Sequence, residues 1–162
     1  MSVDSRVLLA PDDGSLGPLL RVADDRLPPG GGYGRHEHRD VDVVLVVLAG
    51  SVRHEWGAGA ALAAGDVAVL RAGAGLAHDE VAGPAGAHVV QTYLRAADPG
   101  AAPAHDVVRA PVGWVDLGRT DARLWIGPDG PDAPPGLRVA VGDGPGVLLV
   151  WQLDTARPSW AD

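Results

Sequence analysis

Between residues 35 and 95 the chain passes through short apolar or alternating stretches, at about 35–39, 41–48, 51–56, 67–71, 77–82 and 87–95. Glycine-bearing separators divide them: Ala49-Gly50, Gly57-Ala58-Gly59, Gly65-Asp66, Gly73–Gly75 and Gly83-Pro84-Ala85-Gly86. No window of ten or more residues carries a convincing 3.6-residue apolar period, and Ala60–Ala64 offers a helical turn at most. Short antiparallel strands at this spacing bury one face and hide their edges only by closing into a sandwich or roll. The chain is therefore expected to be all-β.

Outside that region, Arg6–Ala10 and Leu19–Ala23 are strand candidates, with turns at Pro11–Gly14 and Pro28–Gly32. Asp98–Pro103 has the composition of a linker. Beyond it, Val112–Leu117, Ala122–Ile126, Leu137–Gly142 and Val147–Leu153 are strand-like, Gly127–Gly136 is loop, and Asp143–Gly146 suits a hairpin turn. Thr155–Asp162 is a polar tail. With 162 residues, one domain with a modest extra piece is expected. The predicted division is 1–97, a linker over 98–112, and a smaller β segment over 113–162.

Two residue pairs carry the chemistry. His36-Glu37-His38 places two imidazoles at i and i+2, and His78-Asp79-Glu80 places an imidazole and a carboxylate at the same spacing. In a strand, i and i+2 share a face, so each pair can aim two side chains at one point. Three imidazoles and one carboxylate suit one divalent transition ion, with Fe(II) favoured and Mn, Co, Ni or Zn open. His36, His38, His78 and Glu80 are the predicted ligands; the alternative leaves Glu80 beside a three-histidine site completed by water.

Other residues fall around this set. By parity Asp42 shares the ligand face, where it would line the cavity or orient an imidazole, while Glu37 and Asp79 face away. Gln91 and Tyr93 share a face of a later strand and would either fill the core or wall a substrate pocket. His54 reads as an exposed strand end, and His88 and His105 as ordinary polar residues. Trp114, Trp125 and Trp151 lie in apolar strands and are expected in the core; Trp56 and Trp160 lie nearer turns or the tail.

Composition narrows the partners. The net charge is −8 and the thirteen basic residues are all arginine without a clustered stripe, which argues against direct nucleic acid binding. With no cysteine, disulfides and thiolate metal sites are excluded. The longest apolar run, Val41–Gly50, is far too short to span a bilayer, and Met1–Ser5 lacks the basic start of a signal peptide. A cytoplasmic protein acting on a small molecule is expected, and exposed edge strands leave a homodimer open.

The motif Gly32-Tyr33-Gly34-x-His36-x-His38-Arg39-Asp40, then Gly50, Gly65-Asp66 and Ala72-Gly73-x-Gly75-Leu76-x-His78-x-Glu80, resembles the pirin branch of the cupins. Leu20-Arg21-Val22-x-Asp24-Asp25 and Gln91-x-Tyr93 extend the resemblance, which is specific over about residues 19–95. It implies a jelly-roll barrel carrying the metal on His36, His38, His78 and Glu80, joined to a second, here partial, β-barrel. Glu37 stands where the family has proline, and Asp42 where it has glutamate.

The resemblance further implies a quercetin 2,3-dioxygenase-like activity on an enolic or phenolic molecule. Glu80 would act as general base in a pocket lined from 43–47 and 67–71. Two other readings stay open: a Lewis-acid isomerase, cyclase or decarboxylase, and a non-enzymatic metal- or redox-responsive regulator of other proteins.

Overall fold

A computed structural model describes residues 2–141 and 146–156. The expected Asp143–Gly146 turn lies largely outside these residues, as do Trp160 and most of the expected tail. The strands are β1 (Asp4–Leu9), β2 (Leu19–Leu27), β3 (His36–His38), β4 (Val41–His54), β5 (Ala60–Ala63), β6 (Val67–Arg71) and β7 (Leu76–His78). They continue as β8 (Glu80–Arg95), β9 (Ala104–Val108), β10 (Gly113–Val115), β11 (Ala122–Pro128), β12 (Leu137–Ala140) and β13 (Val147–Leu153).

The main sheet runs β1-β2-β8-β4-β6-β9 with β5 paired to β4, and every pairing in it is antiparallel. A second sheet runs β10-β11-β13-β12, and β3 and β7 form a two-stranded ribbon. The all-β expectation is met. Ala60–Ala63 is strand, and the stretch expected as a linker carries β9, hydrogen-bonded along β6.

The central strands are apolar at consecutive positions because both their faces are covered. Val44, Val46, Val67, Val69 and Val90 pack with Leu124, Leu149 and Trp151 of the second sheet. Their neighbours Leu45, Val47, Ala68 and Val89 point the other way, onto Leu27, Val52 and Leu62. A smaller cluster of Val43, Leu70, Ala72 and Leu76, with Tyr93 and Trp56 against it, lies nearest the predicted ligands. Thus Val44, Val46, Val67 and Val69 are packed against the second sheet, while Val43, Leu45 and Leu70 share the face of Gln91 and Tyr93.

Two strands are longer than the sequence suggests. β4 continues through Ala49-Gly50 and β8 through Gly83–Gly86, since bulges between Val47 and Ala49 and between Gly50 and Val52 absorb the irregularity without a turn. Gly50 has φ +74°, and a Cβ there would lie 2.0 Å from the Gly86 carbonyl oxygen.

Of the three tryptophans expected in the core, only Trp151 is buried. Trp114 and Trp125 are opposite each other on β10 and β11, on the face turned away from Leu124 and Ile126, and Arg123 lies 4.0 Å over the Trp114 ring. Among the described residues no helix is long and apolar enough to cross a membrane.

Candidate metal centre

The ribbon of β3 and β7 sets His36 opposite His78 and His38 opposite Leu76. Gly32 anchors its approach: it bridges Val81, and a Cβ on it would meet the Glu80 carbonyl oxygen at 2.1 Å. Only glycine lets the chain enter this closely. His36 Nε2 stands 2.9 Å from His38 Nε2 and 3.1 Å from His78 Nε2. Three ligand nitrogens about 2.0–2.1 Å from one ion and at right angles would stand about 2.9 Å apart, so this spacing fits a shared cation.

Protonation points the same way. His36 Nδ1 is 2.7 Å from the Gly34 carbonyl oxygen, which can only accept, so that nitrogen carries the proton and Nε2 offers its lone pair to the cluster. Burial, with the His36 charge next, lowers the His38 pKa. Burial also brings His78 down to about 4, against the opposing pull of Glu80. Neutral imidazoles are the ligating form.

Glu80 is the first residue of β8, in register with His54 at the end of β4. Its Oε2 accepts a hydrogen bond from Gln91 Nε2 at 2.6 Å, and its Oε1 lies 2.9 Å from His54 Nε2. Burial works to raise the Glu80 pKa, but His54, His78 and His36 outweigh it and bring it below the usual value. The latter approach is oblique: Glu80 Oε1, His54 Nε2 and His78 Nδ1 are buried without a hydrogen-bond partner among the described residues. A buried acceptor left so is costly, and a cation on Glu80 Oε1 would satisfy it. His36, His38 and His78 form one group able to hold an ion, and His54, His78 and Glu80 a second that shares His78.

The remaining predicted residues divide. Gln91 is at the centre through Glu80, and the Tyr93 ring meets the His38 ring edge-on at 5.5 Å between centroids. Asp42 is not brought there: its carboxylate pairs with Arg119 Nη1 at 2.8 Å, both buried, tying β4 to the loop before β11. Burial raises the Asp42 pKa against the pull of Arg119. The parity count from His38 fails because Asp40, at φ +57°, breaks the strand and resets which face Asp42 occupies. Glu37 is exposed, and Asp79 Oδ1 accepts from the Glu80 backbone N–H.

His54 is a residue that sequence reasoning missed. It is 2% exposed, and its Nδ1 is 2.8 Å from Nε2 of His105 on β9. His88 pairs with Asp24 at 2.5 Å, away from the cluster. Two recesses flank the ribbon: one of about 520 Å³ bordered by His38, Arg39 and Leu76, the other of about 590 Å³ bordered by Arg35, His54, Trp56 and Ala77.

Comparison with known proteins agrees with this architecture. Escherichia coli YhhW superimposes with a TM-score of 0.69 at 20% identity over 92% of this chain and 82% of that one. A crystal structure of the same bacterial pirin in complex with nickel(II) gives 0.66 at 24% identity, over 76% and 64%. A Zymomonas mobilis protein provisionally named a quercetin 2,3-dioxygenase is 38% identical over 72 residues, 43% of this chain and 31% of its own length. The Escherichia coli quercetin 2,3-dioxygenase is 34% identical over 64 residues, 38% of this chain and 28% of that protein. The match thus spans about a third of the length of these curated relatives. The fold is the cupin one, here a seven-stranded antiparallel sheet joined to a smaller four-stranded sheet. The profile of the Pirin family matches residues 11–94, more than half of the sequence, and the chain belongs to that family.

Proposed function

We propose that this protein is a metal-dependent dioxygenase of the quercetin 2,3-dioxygenase type, acting on an enolic or phenolic small molecule. The observation that carries the reading is the three-imidazole cluster with a buried carboxylate, Glu80, beside its most buried member, His78. The names of the Zymomonas and Escherichia relatives support the reaction class.

His36, His38, His78 and Glu80 would hold one divalent transition ion, Fe(II) favoured among Mn, Co, Ni and Zn. When bound, such an ion supplies Lewis-acid activation of a substrate oxygen and access to dioxygen chemistry. The protein's own side chains do the rest. The recess beside His38 would take the substrate, with Leu76 offering apolar contact at its edge. Glu80, ionised and held at Oε2 by Gln91, takes the proton from the substrate hydroxyl. The apolar group of Val43, Leu70, Ala72 and Leu76 limits water near the deprotonated oxygen.

The test is metal content per chain by mass spectrometry, on untagged protein purified under low oxygen, followed by oxygen uptake with flavonols. About one equivalent of Fe, Mn, Co or Ni, lost in His78→Ala, together with flavonol-dependent uptake, is expected. Stoichiometric metal with substrate turnover under anaerobic conditions would replace this reading with a Lewis-acid one. No metal after reconstitution would overturn it.

A further inference from the structure

We propose that His54 and His105 are positioning residues for Glu80, fixing the carboxylate at the metal centre although neither belongs to the predicted ligand set. The inference rests on the metal-centre reading above and extends it to residues on two further strands.

The argument begins with register. His54 closes β4 directly opposite Glu80 at the start of β8, so the two side chains are cross-strand neighbours. Both are sealed from solvent, at 3% and 1% side-chain exposure, and Nε2 and Oε1 stand 2.9 Å apart. His105 enters from the other side of β6, opposite Leu70, and its Nε2 reaches His54 Nδ1 at 2.8 Å.

Proton placement gives the chain a direction. An ionised carboxylate only accepts, so in this 2.9 Å approach, oblique as it is, Nε2–H of His54 is the group that faces Glu80 Oε1. Its Nδ1 is then the acceptor, and His105 must present Nε2–H to it. Gln91 donates to the second oxygen, Oε2. His105 therefore selects the His54 tautomer, and His54 and Gln91 stand against different oxygens of the carboxylate. A free Glu side chain has three rotatable bonds; here the rotamer is set from outside the ligand set. Removing such an outer partner characteristically costs 10–100-fold in metal affinity.

The test uses Co(II) as probe, its dissociation constant measured by chelator competition for wild type, His54→Ala, His54→Gln, His105→Ala and Glu80→Gln. The thermal midpoint of each metal-free protein is recorded beside it. Expected are a 10–100-fold weaker constant in His54→Ala, recovery of most of that loss in His54→Gln, whose amide N–H can replace Nε2–H, and an intermediate loss in His105→Ala. A role confined to packing would lower the metal-free midpoint of His54→Gln without restoring affinity, and that pattern overturns the proposal. Wild-type affinity in His54→Ala while Glu80→Gln is weakened overturns it too, leaving the metal centre intact. Should His54→Ala fail to fold, His54→Gln and His105→Ala carry the decision. No Co(II) binding by wild type would overturn the metal-centre reading itself, and this proposal with it.

Discussion

His54 Nε2 lies 2.9 Å from Glu80 Oε1, each at the end of a strand whose partner it faces in register. This contact sets one oxygen of Glu80 against an imidazole outside the predicted ligand set. Its second oxygen is occupied by Gln91, so the carboxylate is held in one place before any ion or substrate arrives.

Replacing Glu80 by glutamine keeps the shape but removes the base. Proton abstraction by a positioned carboxylate contributes about 10²–10⁴-fold. Glu80→Gln is therefore expected to bind metal through His36, His38 and His78 yet lose flavonol-dependent oxygen uptake by at least about 100-fold. Metal analysis and an oxygen electrode on the same preparation check this. Normal turnover would remove Glu80 from the role of base.

The buried Asp42–Arg119 pair belongs to the joint between the two sheets, and its removal should show in stability alone. Asp42→Ala leaves the Arg119 guanidinium at 2% exposure with Asp121 as its remaining carboxylate. Breaking a buried pair costs about 3–5 kcal/mol when the surviving charge is left alone, and Asp121, still paired to Arg119 through both oxygens, holds the loss to about 3 kcal/mol or less. Urea denaturation of the metal-free protein should show a loss of that order, while metal bound per folded chain stays at the wild-type value. A drop in stoichiometry would return Asp42 to the centre.

The gathering of His36, His38 and His78 was legible in the sequence because residues two apart on a strand share a face. The all-β fold was legible from its glycine punctuation. What the sequence concealed depends on long-range register. Arg53-His54-Glu55 looks solvated, and Arg53 does pair with Glu55 at the surface. His54 comes opposite Glu80 through two register shifts along β4. His105 lies in a stretch rich in proline and alanine whose strand character comes from its pairing with β6. Trp114 was misplaced because a short apolar strand does not announce which of its faces is covered.

Gly50 tests the continuity of β4 and β8. Gly50→Ala combines a left-handed φ, worth about 1–2 kcal/mol for an L-residue, with a Cβ forced onto the Gly86 carbonyl oxygen. A loss of about 3 kcal/mol or more is expected, because the obstructing atom is backbone. Gly57→Ala is the control: its φ is +59° but nothing lies within 4 Å of the new Cβ, so only the conformational cost of about 1–2 kcal/mol applies. Equal losses in the two variants would mean that β4 and β8 do not approach so closely.

Acid should destabilise the metal-free protein through its histidines. Burial, followed by the His54 charge, lowers His105 to about 4 against the pull of Asp106 and Glu80. His78 falls to about 4 as well, with burial the largest cause, Glu80 opposing, and His36, His38 and His54 adding to the fall. Both values lie below the unfolded reference of about 6.5, so below that pH the unfolded chain binds more protons than the folded one. Stability contributed by the neutral rings is then fully present above pH about 6.5 and is lost as the pH falls toward about 4. For His78, the more buried of the two, the loss is of the order of 3 kcal/mol at most. His105→Asn should flatten part of this slope and leave the His78 part. Urea midpoints across pH 4–8 on metal-free wild type and variant measure it, and a profile without fall between pH 6.5 and 4 would show that these rings titrate as they do in the unfolded chain.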